Sequence, residues 1–188
     1  RKGFAMTSLS VGVVGLGAMG HGMAQSLRRA GYELHVFDVR NEVANMFAEG
    51  GGVACKSLAE LGAACDVVVS VVVNAAQTES VLFGADACAA AMKPGSTFVM
   101  CSTVDPNWSI ALEKRLNDLG LLYIDAPISG GAAKAASGEM TMMTAGAPAA
   151  YANAEAVLNA MAGKVYKLGD SAGARRKGKI NTPFPRAG

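Results

Sequence analysis

Residues 11–20 read Val-Gly-Val-Val-Gly-Leu-Gly-Ala-Met-Gly, a short apolar run that passes directly into the glycine pattern Gly15-x-Gly17-x-x-Gly20. This order is typical of a buried strand that turns sharply into a helix whose N-terminus is open to a phosphate. Gly15 permits the tight turn, Gly17 the close approach of a pyrophosphate, and Gly20 the packing of the helix on the strand. The residues predicted to bind a dinucleotide here are Gly15, Leu16, Gly17, Ala18, Met19 and Gly20.

The residues after the glycine pattern continue the same structural unit. Residues 23–30 have a helical pattern that ends at Gly31, and residues 33–38, Glu-Leu-His-Val-Phe-Asp, then form a second strand that ends in an acid. An acid at this point accepts hydrogen bonds from an adenosine ribose, so Asp38 is predicted to bind the cofactor. The same pattern also fits an ordinary glycine-rich turn with a surface aspartate, or a methyltransferase-like domain.

Asp38 also predicts which dinucleotide is bound. Its carboxylate would accept a hydrogen bond from the free 2′-hydroxyl of NAD and repel the 2′-phosphate of NADP. Arg40 lies two residues further on, and a nearby arginine can accommodate that phosphate. We predict NAD rather than NADP, and Arg40 is the residue that argues against this choice.

The composition limits the class of protein. The 188 residues are 51% hydrophobic but only 6% aromatic and 17% charged, which is enough for one well-packed domain of small aliphatic side chains. No apolar run is long and uninterrupted enough to span a bilayer, and no secretory pattern opens the chain. The four cysteines have the spacing of neither a zinc site nor a redox pair. We therefore expect a cytoplasmic protein with reduced thiols, no membrane partner and no metal.

The formal net charge of +2 comes from the two ends of the chain. Residues 6–174 contain all 15 acidic residues but ten of the 17 basic ones, which leaves this part with a formal charge of −5. We interpret residues 1–5, which precede Met6, as a remnant of cloning. Residues 175–188 are basic, contain two prolines and have no periodicity, so they fit a vector-derived or frameshifted tail, or a nucleic-acid arm. Because residues 6–174 carry no basic stripe, we expect no nucleic-acid partner.

Strand and helix patterns alternate along residues 6–174. Such alternation predicts an α/β fold with a doubly wound, mostly parallel sheet, the Rossmann type, as one domain. The predicted strands are residues 11–14, 33–38, 53–55, 66–73, 97–101, 122–125, 139–144 and 164–168. The predicted helices include residues 23–30, 41–49, 77–82, 86–92, 105–119 and 148–160, with a further helix opening at Ser57.

Two loops at the carboxyl ends of strands are candidates for chemistry. Residues 101–104, Cys-Ser-Thr-Val, place hydroxyl groups at the sheet edge, and the alternative is that they cap the helix that begins near Asp105. Residues 125–131, Asp-Ala-Pro-Ile-Ser-Gly-Gly, expose backbone N–H groups and a hydroxyl that suit a carboxylate. The alternative there is a flexible loop rich in glycine and alanine.

The glycine loop, residues 101–106 and residues 125–131 together resemble the β-hydroxyacid dehydrogenase family, over about 165 residues and in the family's order. The resemblance implies that the glycine loop holds NAD or NADP, that Thr103 lies by the nicotinamide, and that a substrate carboxylate is held by a second loop. The residues it implies for that carboxylate are Ser129, Gly130 and Gly131. It also implies that Val72 and Val73 pack along the cofactor.

Family members also use a lysine on a long helix that enters an all-helical second domain. Lys179 falls at about that position and is the candidate catalytic residue, but Thr182 replaces the asparagine that follows in the family. Pro183 and Pro185 would stop a long helix, and the helical domain is absent from this sequence.

The sequence therefore predicts the NAD-binding half of an oxidoreductase that transfers hydride between a nicotinamide and a small 3-hydroxy acid, followed by a foreign tail. The substrates implied are of the hydroxyisobutyrate, threonate or glycerate type. We expect this truncated chain to be inactive and to self-associate through apolar surface. The alternatives are a non-catalytic dinucleotide-binding module and a methyltransferase-like domain.

Overall fold

The computed structural model describes residues 9–173, and within them it contains nine strands and eight helices. The strands are β1 (Ser10–Val14), β2 (Glu33–Phe37), β3 (Val53–Ala54), β4 (Val67–Ser70), β5 (Thr97–Met100), β6 (Leu122–Asp125), β7 (Ile128–Ser129), β8 (Met140–Gly146) and β9 (Ala162–Lys167). The helices are α1 (Ala18–Arg29), α2 (Asn41–Glu49), α3 (Leu58–Ala64), α4 (Ala75–Phe83), α5 (Cys88–Ala91), α6 (Pro106–Asp118), α7 (Gly131–Ser137) and α8 (Pro148–Met161).

The strands form one sheet in the order β3-β2-β1-β4-β5-β6-β8-β7, with β9 beside β8. Every pair from β3 to β6 is parallel, whereas β8 runs antiparallel to β6. The predicted doubly wound, mostly parallel sheet is therefore confirmed. The chain winds outward in one direction from β1 to β3 and in the other from β4 onward, so the carboxyl ends of β1 and β4 define the switch point where such folds bind ligands.

Two hydrophobic cores cover the two faces of the sheet. Along β4, Val67 and Val69 pack into one core and Val68 into the other, and all three are fully buried. A strand buried on both faces needs a continuous apolar run, which is why the valines are consecutive. Among the described residues, no helix combines the length and the apolar character needed to cross a membrane.

The valine strand is shorter than predicted, because it ends at Ser70 rather than at residue 73. The N–H of Val71 still donates to the carbonyl of Val14 at 2.8 Å, but the neighbouring chain then turns away at Gly15. Val72 and Val73 therefore belong to a loop, and Val73 is 78% exposed.

One helix and one short strand, α7 and β7, were not predicted. Residues 131–137 read Gly-Ala-Ala-Lys-Ala-Ala-Ser, and the sequence predicts neither a helix nor a strand for them. A helix of this length is not stable by itself in water. It forms here against α1, where Gly22 leaves no room for a side chain: a Cβ there would lie 2.6 Å from the backbone nitrogen of Ala136.

The described chain ends on the surface of α6. Ala172 is buried, and its N–H donates to both carboxylate oxygens of Glu113, at 3.1 and 3.2 Å. Burial raises the pKa of the Glu113 carboxyl, the hydrogen bond from Ala172 opposes this rise, and the charge of Asp125 adds to it. The predicted remnant (residues 1–5), the predicted tail (residues 175–188) and Lys179 lie outside the described residues.

Candidate dinucleotide-binding site

Two of the three glycines in the pattern lie against backbone atoms of the fold. Gly15 has φ +95°, a left-handed conformation that favours glycine, and a Cβ there would clash with the carbonyl oxygen of Val71 after β4. A Cβ on Gly20, in the first turn of α1, would overlap the carbonyl oxygen of Gly15. Neither position therefore has room for a side chain.

Gly17 differs from the other two glycines because open space lies beside it. Its φ of −68° is open to any residue, and within residues 9–173 no heavy atom other than those of its chain neighbours lies within 4 Å of the position where a Cβ would be. Gly17 is also the N-cap of α1, and no side chain of the described part of the chain caps this helix end. The free N–H groups of the first turn and the helix dipole therefore face open space, as an anion site requires.

The other loop residues complete the turn. Leu16 is buried in the core, whereas Ala18 is exposed and Met19 is half-buried against the core. The backbone N–H of Leu16 donates to Oδ2 of Asp38 at 2.8 Å. The carboxylate predicted to hold the ribose is therefore tied directly to the glycine loop.

Asp38 follows β2 and is 6% exposed. Its Oδ1 accepts hydrogen bonds from the backbone N–H of Arg40 at 2.9 Å and from Nε at 3.0 Å. Its Oδ2 accepts from Nη2 of the same guanidinium at 3.2 Å. Burial alone raises the pKa of Asp38, but the hydrogen bonds from Arg40 and Leu16 and the charge of Arg40 outweigh it and hold the pKa below its usual value.

Two exposed valines flank this site, and the sequence indicated one of them. Val73 was predicted to pack along the cofactor, and Val39, which was not predicted, is 87% exposed immediately after Asp38. Val72 lies at the back of the glycine turn, where its Cγ1 would be 3.4 Å from a Cβ on Gly15. Large exposed aliphatic side chains beside an open anion site are typical of a surface that a flat ring covers. The position of Val39 directly after Asp38 was the sequence signal that could have identified it as a residue of the site.

The loop after β5 is held by Ser102 rather than by Thr103. The hydroxyl of Ser102 is buried and donates to the carbonyl of Val72 at 2.6 Å, which ties this loop to the one after β4. Thr103 is exposed at the sheet edge. Neither Ser102 nor Thr103 caps α6, so that alternative was wrong. The cap is Asp105, whose carboxylate accepts the N–H of Asn107 at 2.7 Å.

Ser129, Gly130 and Gly131 are exposed where β7 passes into α7. Gly130 has φ +140° and Gly131 has φ +78°, so the chain turns in a way that other residues rarely adopt. Helix α7 then runs against α1, and the hydroxyl of Ser26 donates to the carbonyl of Ala135 at 2.7 Å. The loop predicted to hold a carboxylate is thus braced by the helix that begins at the glycine loop.

Other reactive groups of the described chain do not join the site. All four cysteines are free and buried, as predicted, and burial raises the pKa of Cys101 to about 12, with a further contribution from Asp125. A thiol with this pKa is not a nucleophile at neutral pH. Within residues 9–173, no group of three or more histidine, cysteine or acidic side chains could hold a metal ion. Lys179, the candidate proton-transfer group, lies outside this range.

Comparison with known proteins agrees with this geometry. Residues 10–169 match the model of the NAD binding domain of 6-phosphogluconate dehydrogenase. The chain is 60% identical over 173 residues to L-threonate dehydrogenase of Cupriavidus necator, a match that covers 92% of this chain and 58% of that protein. It is 35% identical over 159 residues to mitochondrial 3-hydroxyisobutyrate dehydrogenase of Mus musculus, covering 85% of this chain and 48% of that one.

A similar solved structure is 3-hydroxyisobutyrate dehydrogenase from Salmonella typhimurium, with a TM-score of 0.86 and 41% identity. The match covers 92% of this chain and 60% of that one. The chain therefore belongs to the family of the NAD binding domain of 6-phosphogluconate dehydrogenase. It spans about half of the length of the curated relatives it matches, and the predicted resemblance to hydroxyacid dehydrogenases is confirmed.

Proposed function

We propose that residues 9–173 are the cofactor-binding part of a dehydrogenase that transfers hydride between NAD and a small 3-hydroxy acid. The observation that carries this proposal is the combination of an uncapped α1 N-terminus with the open space in front of Gly17. A pyrophosphate fits this arrangement because it can approach the backbone without meeting a side chain.

The chain's own residues each have one task in this proposal. The N–H groups of the first turn of α1 hold the pyrophosphate, Asp38 accepts the ribose hydroxyls, and Val39 and Val73 cover the adenine on its two sides. Thr103 lies at the sheet edge toward the nicotinamide. The nicotinamide, when bound, supplies or accepts the hydride.

The substrate carboxylate is assigned to the loop of Ser129, Gly130 and Gly131. The support is the exposure of these residues, the backbone turn that frees their N–H groups, and the names of the similar proteins, which act on L-threonate and 3-hydroxyisobutyrate. A general acid or base must transfer the proton that leaves or joins the substrate oxygen, and we assign this role to Lys179.

We propose NAD as the preferred cofactor, because Asp38 offers acceptors to ribose hydroxyls and its negative charge disfavours a 2′-phosphate. We also propose a cytoplasmic location, which the four free, buried thiols support. The isolated chain is expected to self-associate through apolar side chains exposed at α6, such as Ile110 and Leu119.

A calorimetric titration of the 188-residue chain with NAD tests the binding step, with S-adenosylmethionine as the competing ligand. NAD should bind and S-adenosylmethionine should not. The chemical step is tested by joining residues 9–173 to the remainder of the Cupriavidus necator relative and following NADH absorbance with L-threonate, 3-hydroxyisobutyrate and glycerate. Turnover by the chimera, lost when its transferred Gly17 is changed to valine, supports the proposal; tight binding of S-adenosylmethionine in place of NAD contradicts it.

A further inference from the structure

The side chain of Lys134, in the first turn of α7, lies against Gly130 of the loop assigned to the substrate carboxylate. A Cβ built on Gly130 would lie 3.1 Å from both Cβ and Cδ of Lys134. Side chains of a helix lean toward its N-terminus, so the lysine stem runs back from α7 toward this loop. A single methylene separates Cδ from Nζ, and the ammonium group therefore stays close to Gly130.

The ammonium group of Lys134 has no partner within residues 9–173. Its side chain is exposed, and no carboxylate of this part of the chain lies within ion-pair distance of it. Glu139, the next acid along the chain, accepts a hydrogen bond from the hydroxyl of Ser137 instead. Other basic side chains do pair with carboxylates, namely those of Arg40, Lys93, Lys114, Arg115 and Lys167. Lys134 is thus a cation that is available to a ligand.

The backbone of Lys134 is held in place by the packing of α7 on α1. The carbonyl of Ala135 accepts the hydroxyl of Ser26 at 2.7 Å, and a Cβ on Gly22 would lie 2.8 Å from Cβ of Ala135. The carbonyl of Lys134 itself accepts the N–H of Glu139 at 2.8 Å. The lysine stem is therefore anchored beside the loop, and only its outer part adjusts to a ligand.

An anionic substrate needs a cation here because the surrounding domain is acidic. Residues 6–174 carry a formal charge of −5, so their summed field repels a carboxylate. The loop of Ser129, Gly130 and Gly131 offers a hydroxyl and backbone N–H groups, which are neutral donors. An ammonium group beside them adds a charge-assisted hydrogen bond, which is stronger than a neutral one.

We propose that Lys134 is a specificity-determining residue that pairs with the substrate carboxylate beside Gly130 and so selects hydroxy acids over neutral alcohols. This inference rests on the proposed function of the Ser129 loop. The carboxylate keeps its charge throughout hydride transfer, so the pair is equally strong in the bound substrate and in the transition state. Lys134 therefore sets the affinity for the substrate and leaves the rate of the chemical step almost unchanged.

The first experiment observes Lys134 directly in the 188-residue chain saturated with NAD. Its lysines are given isotope-labelled methyl groups, a modification that keeps their charge. The Lys134 resonance is identified by its loss in Lys134→Arg and is followed by NMR during addition of L-threonate or of threitol, a neutral polyol. L-threonate should shift this resonance more than any other lysine resonance, and threitol should leave it in place.

The second experiment measures kcat and KM for L-threonate in the chimera with the Cupriavidus necator relative. Lys134→Met should raise KM by about threefold to tenfold and leave kcat nearly unchanged, because it removes one charge-assisted contact of a partly exposed group. Lys134→Arg should retain most of the affinity, since it keeps the charge. Added salt should raise KM of the parent chimera more than that of Lys134→Met.

Lys56→Met is the matched control. Lys56 is also exposed and forms no ion pair within residues 9–173, but it follows β3, at the opposite end of the sheet from β7. The substitution changes the net charge by the same amount as Lys134→Met, and it should leave KM unchanged.

The results separate the possible failures. If the chain does not bind NAD and the chimera does not turn over, the proposed function fails and this inference fails with it. If NAD binds and the chimera turns over, but neither the Lys134 resonance nor KM of Lys134→Met changes, the inference alone is wrong. An equal rise of KM in Lys56→Met would trace the effect to net charge, and a fall in kcat at constant KM would separate Lys134 from substrate binding. Either result also overturns the inference.

Discussion

The hydroxyl of Ser26 in α1 donates a 2.7 Å hydrogen bond to the carbonyl of Ala135 near the end of α7, and both groups are buried. Arg29 adds a bond to the carbonyl of Ala136 at 3.0 Å. The N–H of Gly138, the C-cap of α7, also donates to the carbonyl of Ala135 at 3.4 Å, so the side chains of α1 add to the capping of this short helix. Helix α1 and the loop of Ser129 are thereby held together through α7.

Ser26→Ala should destabilise the domain by about 0.5–1.5 kcal/mol, because the buried carbonyl of Ala135 then keeps only the longer hydrogen bond from Gly138. Hydrogen exchange of residues 131–137 should accelerate more than that of the central strands, since α7 depends on this contact. Urea denaturation and mass-detected hydrogen exchange measure the two effects. Ser137→Ala, which removes an exposed hydroxyl on the same helix, is the control. Equal protection of residues 131–137 in Ser26→Ala and wild type would show that α7 is held by other contacts.

Gly17→Val should abolish dinucleotide binding and leave the fold intact. A Cβ at this position contacts no neighbouring part of the described chain, but the valine side chain fills the space in front of α1 that the pyrophosphate needs. Circular dichroism and calorimetry on the same sample measure both properties. Gly163→Ala is the folding control, because a Cβ there makes only ordinary contacts with Glu139, at 3.4 Å and beyond. NAD affinity within a few-fold of the wild type would remove Gly17 from the site.

Gly20→Ala should prevent folding of the β1–α1 unit, in contrast to Gly17→Val. The new Cβ would overlap the carbonyl oxygen of Gly15, and this atom belongs to the backbone and cannot rotate away. The expected result is a loss of cooperative thermal unfolding or a fall in midpoint of several degrees or more. A variant that melts like the wild type would mean that the turn relaxes more freely than its geometry indicates.

Asp38→Asn should change the acid limb of the stability curve. The pKa of Asp38 is lowered in the folded state, so its stabilising contribution is complete above the unfolded value of about 3.9 and is lost as the pH falls through the folded value. The variant should therefore lose less stability than the wild type as the pH falls below about 3.9. Denaturant midpoints across this range test the prediction. Parallel curves for the two proteins would contradict it.

Glu113→Gln should act with the opposite sign. The pKa of Glu113 is raised in the folded state, so its ionisation costs stability as the pH rises from the unfolded value of about 4.3 through the folded value. Glutamine keeps an oxygen that can accept the Ala172 N–H and cannot ionise. The wild type should lose stability relative to Glu113→Gln across this window, as measured by denaturant midpoints. A constant difference between the two proteins over the window would be evidence against the raised pKa.

The cysteines should be unreactive in the folded chain. Burial raises the pKa of Cys55, Cys88 and Cys101 to about 12 and that of Cys65 further still. A chromogenic disulfide reagent at mildly alkaline pH should therefore titrate almost no thiol in the native protein and all four in denaturant. Rapid reaction of one thiol in the native protein would reveal local opening at that residue.

The sequence located the glycine loop and Asp38 because both depend on local rules: an apolar strand, a turn that needs glycine, and an acid at the next strand end. It missed α7 because residues 131–137 carry no amphipathic pattern, and their helix exists through contact with Gly22 and Ser26. The sequence also predicted that β4 continues to residue 73, because six valines interrupted only by Ser70 give no sign of where the strand stops. In the structure the pairing with β1 ends where β1 turns at Gly15. The hydrogen bonds from Arg40 to Asp38 depend on the direction of the arginine side chain, and the separation of the two residues in the sequence does not determine that direction.

The unequal crowding of the three glycines changes how a glycine pattern of this kind is interpreted in other proteins. The fold itself requires glycine at positions 15 and 20, so both glycines would be kept even in a relative that no longer binds a cofactor. Under the proposed function only the ligand requires glycine at position 17, so this residue would be free to change once the ligand was gone. Among related domains, a residue other than glycine at the position of Gly17, between two retained glycines, would indicate that the fold has been kept and dinucleotide binding has been lost.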